Sequence, residues 1–145
     1  MKYLLDTNVV SETIRTQPDA NVLAWLAVTD REDLYLSVIT LGELERGMIQ
    51  HHDPVRQARL RHWYTTTVLP DYAGRILDIT PPVMTEWARL VQTARSAGQT
   101  PGALNALIAA TASAHSLTIV TRNVKHFDVL GVPTFNPWQE EPEEG

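Results

Sequence analysis

The stretch Tyr3-Leu4-Leu5-Asp6-Thr7-Asn8-Val9 decides the architecture. Three apolar residues followed at once by a carboxylate read as a short strand buried on both faces, as in parallel sheets. Asp6 then stands at the carboxyl end of that strand, where open α/β sheets collect their ligands. By itself Asp6 also reads as the cap of a helix beginning at Thr7. The early carboxylate leaves too little apolar sequence for a signal peptide. Nowhere does an uncharged apolar run approach the roughly 18 residues of a membrane span. The expectation is a soluble protein of the cytoplasm with no membrane partner.

Outward from this stretch, strand and helix patterns alternate. A helix opens at Asp19 and runs through Val22, Leu23, Leu26 and Ala27, and Leu34 to Val38 reads as a second strand. Thr40 opens a helix through Leu41, Leu44 and Met48 that ends before Asp53-Pro54. Another helix spans Val55 to about Leu69, closed by Pro70, and Arg75 to Ile79 is a third strand. Thr80 and Pro81-Pro82 suit the first turn of a helix reaching about Ala97, with Gly98 as its stop. Ala103 to His115 is apolar around nearly its whole circumference, which predicts a buried helix. Leu117 to Val120 is a fourth strand, Thr121-Arg122-Asn123 a polar turn, and Val132 to Phe135 a fifth strand. Such alternation implies an α/β domain with a central, mostly parallel sheet of four to five strands flanked by helices.

A chain of 145 residues suits one domain. The absence of cysteine excludes disulfides, zinc–thiolate sites and thiol nucleophiles. A net charge of −5 argues mildly against a polyanionic partner, but Glu140, Glu141, Glu143 and Glu144 crowd the last six residues. Removing those four of the 17 acids leaves 13 against 12 bases. We therefore assign 1–138 to the domain and 139–145 to a solvated, disordered acidic tail. The global charge says little about the working surface, because a polyanion senses local patches.

Five side chains fall on the expected carboxyl-end rim: Asp6, Glu43, Asn105, Thr121 and Asn123. Each has a plainer reading. Glu43 fits a capping box with Thr40, its side chain returning to the Thr40 N–H. Asn105 reads as a satisfied polar group in a tight helix pair, and Thr121 and Asn123 as turn residues. Arg46, Arg122 and Lys125 flank the rim, where they would meet phosphates. Arg56, Arg59, Arg61 and His62 read as a solvated helix surface. The five histidines show no ligand spacing, and His51-His52 reads as an exposed helix end. Trp25, Trp63 and Trp87 read as core or subunit contacts.

Four segments occur in order: Leu4-Leu5-Asp6-Thr7-Asn8-Val9, Ser37-Val38-Ile39-Thr40-Leu41-Gly42-Glu43-Leu44-Glu45-Arg46-Gly47, Leu107-Ile108-Ala109-Ala110-Thr111-Ala112 and Thr121-Arg122-Asn123-Val124-Lys125-His126-Phe127. Together they resemble the PIN domain, specifically the VapC-type toxins of toxin–antitoxin pairs. The likeness runs from Lys2 to Trp138, with Asn136-Pro137-Trp138 similar to the family's usual ending. What the resemblance implies is a metal-dependent ribonuclease cutting structured RNA such as tRNA or rRNA. It also implies a homodimer silenced by a cognate VapB-type antitoxin. By position, Asp6 and Glu43 match the family's first and second metal-binding acids, Thr121 a hydroxyl near the metal, and Asn123 a fourth acid or its polar substitute. The implied ion is Mg²⁺, with Mn²⁺ as a substitute, since hard cations choose oxygen ligands.

Two departures bear on activity. Asn105 stands where the family carries an aspartate on the metal, and His126 replaces a further acid. An amide keeps a carbonyl oxygen and the side-chain shape but loses a full negative charge. The expectation is an attenuated nuclease, with a catalytically inactive PIN-fold module that binds RNA or an antitoxin as the alternative. A phosphatase or receiver domain also places an aspartate at a strand end. Here Asp6-Thr7-Asn8 lacks the second nearby acid that such chemistry uses.

Overall fold

The computed structural model describes residues 1–138; the acidic tail, 139–145, lies outside the described residues. Five strands form one sheet: β1 (Tyr3–Leu5), β2 (Leu34–Ser37), β3 (Ile76–Leu77), β4 (Thr118–Val120) and β5 (Thr134–Phe135). They lie in the order β3-β2-β1-β4-β5. Every pairing is parallel, with Tyr3 beside Leu34 on one side and Thr118 on the other. The four- or five-stranded, mostly parallel sheet expected from the sequence is therefore a five-stranded, wholly parallel one.

The helices are α1 (Thr7–Glu12), α2 (Ala20–Val28), α3 (Val38–Gln50), α4 (Pro54–Trp63), α5 (Leu69–Asp71), α6 (Pro81–Ser96), α7 (Ala103–His115) and α8 (Val124–Asp128). Alternation along the strands divides the core in two. Leu4 and Ile119 point into a layer with α6, α7 and α8, through Val83, Leu90, Ile108 and Phe127. Their neighbours Leu5 and Val120 point into the opposite layer with α1, α2 and α3, through Val9, Val22 and Leu44. Helix α7 is buried along Ala106 and Ile108 to Ala112, and its small side chains let it pack closely against α6. Trp25 and Trp63 border one layer and Trp87 the other, as expected of core tryptophans.

Two local expectations are corrected. Helix α3 starts at Val38, capped by Ser37, whose hydroxyl accepts from Ile39 N. Ser37 is the better cap because it is the last strand residue, still extended, while Thr40 is already inside the first turn. The Thr40–Glu43 capping box therefore does not form, and buried Thr40 Oγ1 has no partner among the described residues. Helix α4 does not run as one α-helix to Pro70 but widens into a π turn over Tyr64–Val68. Leu69 N bonds to Tyr64 O across that turn, and Pro70, which lacks an N–H, follows within α5. Helix α1 begins directly after Asp6, as the reading of that residue as a cap expects.

Candidate active site

Every strand of a parallel sheet ends on the same edge, so β1 and β4 deliver Asp6 and Thr121 side by side. Asp6 N bonds to Val120 O at 2.9 Å, and Thr121 N to Phe135 O at 2.9 Å. These bonds register the three strand ends before any side chain is considered.

Asp6 caps α1, with Oδ1 accepting from Thr7 N at 2.9 Å. Its other oxygen, Oδ2, accepts from Thr121 Oγ1 at 2.8 Å and from Asn8 Nδ2 at 3.4 Å. The cap and rim readings of Asp6 thus coexist. Thr121 Oγ1 also accepts from Asn123 N at 3.0 Å and Asn8 Nδ2 at 3.4 Å, while Asn8 Oδ1 accepts from Arg122 N. Glu43 reaches across from α3, and its Oε1 accepts from Thr7 Oγ1 at 2.5 Å. Thr7 consequently touches both carboxylates, one through its backbone and the other through its hydroxyl.

Asp6 is only 7% exposed and Thr121 is fully buried. Burial pushes the Asp6 carboxyl above its ordinary value; the Thr121 hydroxyl, the Thr7 N–H and the charge of His126 pull it back in part. Among the described residues the ion pairs are Arg15–Glu12, Arg31–Asp71, Arg61–Glu45 and Arg89–Glu86. None neutralises Asp6 or Glu43. A buried carboxylate without a counter-cation is costly unless something else supplies positive charge.

Asn105 occupies the first turn of α7, half-buried. Its side chain folds back over the cap residue, with Nδ2 3.5 Å from where a Gly102 Cβ would lie. No hydrogen bond among the described residues joins it to Asp6 or Glu43. Its neighbour Leu104 nevertheless lines a cavity of about 440 Å³ together with Glu43 and Arg46, so the turn carrying Asn105 abuts the Glu43 helix. No set of three His, Asp or Glu side chains among the described residues is arranged to hold a metal ion. Asn123 joins the cluster through its backbone, its side chain making no cap for α8. Arg46, Arg122 and Lys125 are all exposed, and Arg122 lies over the Trp138 ring at 5.5 Å. The residues that sequence reasoning missed are Thr7 and Asn8. Their signal was adjacency to Asp6, since a hydroxyl and an amide at a strand-to-helix junction have donors to offer the rim.

Fold and rim define a class of protein: a wholly parallel α/β domain that gathers oxygen-bearing side chains at the carboxyl ends of its central strands. The chain belongs to the PIN domain family, whose model matches residues 3–131. It is 41% identical over 137 residues to Toxin FitB of Neisseria gonorrhoeae, covering 94% of this chain and 99% of that protein. It is 37% identical over 136 residues to VapC ribonuclease Y4jK of Sinorhizobium fredii, covering 94% and 97%. In three dimensions it is similar to the crystal structure of FitAcB from Neisseria gonorrhoeae, with a TM-score of 0.90 at 40% identity over 95% of this chain and 99% of that one. The expected PIN-domain and VapC-type resemblance is borne out. No helix among the described residues is long and apolar enough to cross a membrane.

Proposed function

We propose that the protein is a metal-dependent endoribonuclease toxin acting on structured RNA, tRNA or rRNA, and attenuated by Asn105. The observation that carries this reading is the meeting of Asp6 and Glu43 on Thr7, at a strand-end rim where no ion pair among the described residues holds either acid. The donor set fits Mg²⁺ or Mn²⁺. Asp6 Oδ1 and Glu43 Oε2 retain lone pairs for an ion, and the Asn105 carbonyl oxygen offers a weaker third donor. Two carboxylates completed by water are a common magnesium shell.

When bound, the ion would supply charge neutralisation for the phosphate oxygens and acidify the attacking water. The protein's own contribution is arrangement. Thr121, Thr7 N and Asn8 orient Asp6, the first two also opposing the effect of burial on its charge, while Glu43 Oε2 is free to accept from and orient a water for in-line attack. Arg46, Arg122 and Lys125 hold the RNA backbone on the flanks of the rim. Arg122 is the one of the three that lies over an aromatic ring, that of Trp138. The likeness to a named toxin and to a VapC ribonuclease supports one further part of the reading, neutralisation by a cognate VapB-type antitoxin. The proposal also takes the protein to work as a cytoplasmic homodimer.

A second reading, an inactive PIN-fold module that binds RNA or an antitoxin, draws on one specific observation. Asn105 supplies an amide where a third carboxylate would complete the cluster. Cleavage of a structured RNA by the chain and by Asn105→Asp, each with Mg²⁺ and with EDTA, separates the two. The nuclease reading expects weak, Mg²⁺-dependent cleavage that rises about tenfold or more on Asn105→Asp, since each 1.4 kcal/mol of transition-state stabilisation is about tenfold. No cleavage by either protein would leave the binding module.

A further inference from the structure

Glu43 has three rotatable side-chain bonds and sits well inside α3, where no cap or ion pair holds it. Something must keep it turned toward Asp6. The only hydrogen bond to its carboxylate among the described residues comes from Thr7 Oγ1, at 2.5 Å. Thr7 is itself fixed twice. Its backbone N–H is taken by Asp6 Oδ1, and its β-branched side chain has few rotamers at the start of a helix. The hydroxyl therefore points from a rigid place, and a charge-assisted bond of this length is a strong one.

From this we infer that Thr7 is a positioning residue that sets Glu43 against Asp6, leaving Glu43 Oε2 open toward the space between the carboxylates. One residue measures both acids. Its backbone fixes where Asp6 stands, and its hydroxyl, 36 residues from Glu43 in sequence, fixes where Glu43 stands. The consequence for a divalent cation rests on the metal reading above; the positioning itself does not.

The test uses the full chain and its Asn105→Asp form, each carrying Thr7→Val, Thr7→Ser or Glu43→Gln. Valine keeps the branched shape and deletes the donor, whereas serine keeps the donor. Two quantities are measured: affinity for Mn²⁺ alone by calorimetry, and the ¹³C resonance of the Glu43 carboxylate in metal-free protein. Thr7→Val is expected to weaken Mn²⁺ binding about tenfold, the lower end of what removing a ligand's hydrogen-bond partner costs. It should also move the Glu43 signal toward that of a solvated glutamate, with the circular dichroism unchanged. Thr7→Ser should stay close to the parent in both measurements. A Glu43 signal unmoved by Thr7→Val would overturn the positioning role. So would parental Mn²⁺ affinity in Thr7→Val alongside a loss in Glu43→Gln. A moved Glu43 signal in a chain that binds no Mn²⁺ even with Asn105→Asp would support positioning and sink the metal reading instead.

Discussion

Replacing Thr121 by valine removes one oxygen from the best-satisfied point of the rim. Threonine and valine share a shape, and Thr121 is fully buried, so packing is kept while the hydroxyl is lost. That hydroxyl donates to Asp6 Oδ2 at 2.8 Å and accepts from Asn123 N at 3.0 Å. Asn123 is exposed, so water replaces its acceptor at little cost. The bond to Asp6 is different, because a buried carboxylate loses a donor that water cannot restore. Hydrogen bonds to charged groups are worth about 1.5–3 kcal/mol, which sets the expected loss near 2 kcal/mol. At roughly 2.1 cal/mol/K of unfolding entropy per residue, this chain length converts that loss to a Tm drop of about 7 °C.

The pH dependence sharpens the test. Burial raises Asp6 from its ordinary 3.8, and the Thr121 hydroxyl holds it partly down. A carboxyl whose folded pKa lies above its unfolded value makes the folded state bind more protons. Stability therefore falls as pH rises from the unfolded value through the folded one. Without the hydroxyl the folded value climbs further and the fall deepens. The gap between Thr121→Val and the parent should thus be smaller at acid pH, where protonation of the carboxyl takes the charge from the bond, and larger at neutral pH. Urea melts in EDTA at both pH values, with Thr121→Ser as the variant that keeps the donor, give the answer. A gap that is the same at both pH values, or a Val variant as stable as the Ser variant at neutral pH, would refute the claim that this bond serves an ionised Asp6.

Other expectations follow from the same rim. Asp6→Asn keeps an acceptor for Thr7 N, since Asn caps helices about as well as Asp, but removes the charge. It should abolish Mg²⁺-dependent RNA cleavage and flatten the metal-free decline of stability with rising pH, read in the same urea melts. Lys125→Ala and Arg122→Ala should each weaken RNA binding similarly across unrelated sequences. Each should also lower the slope of log K against log salt by about one, measured by filter binding over a salt series.

The fold was legible because its signals were local and redundant. Leu4 and Leu5 are flanked by a lysine–tyrosine pair and a carboxylate, which leaves a three-residue strand as the economical reading. The apolar girth of α7 could mean only burial, and Gly98, at φ +77°, stops α6 where expected. What failed were boundaries that depend on context. Ser37 and Thr40 are both competent caps, and the choice fell to Ser37 because β2 reaches it in extended form. The π turn left no mark, since Tyr64 and Val68 keep ordinary helical apolar spacing and only the backbone bond pattern differs. Helix α1, six residues long, is too short to show a period at all.

The site divides the same way. Asp6 and Thr121 could be placed together because parallel strands end on one edge, a rule that needs only strand order. Glu43 could be placed on the rim, but its partner could not. A side-chain bond between α1 and α3 depends on how the two helices cross, which no one-dimensional pattern encodes. That is why Glu43 looked like a cap for its own helix and turned out to be held by Thr7 from another. Asn105, for its part, makes no hydrogen bond to either acid among the described residues. An aspartate at this place would have a charge to satisfy and a reason to turn toward a shared cation. The amide has neither, and it lies back over Gly102 beside its own helix end. If that is the cause, Asn105→Asp should turn this side chain toward Asp6 when Mn²⁺ is added and leave it over Gly102 in EDTA. A crystal structure in each condition would show it. An aspartate lying over Gly102 with the ion bound elsewhere would mean that position 105 is no part of the cation's shell.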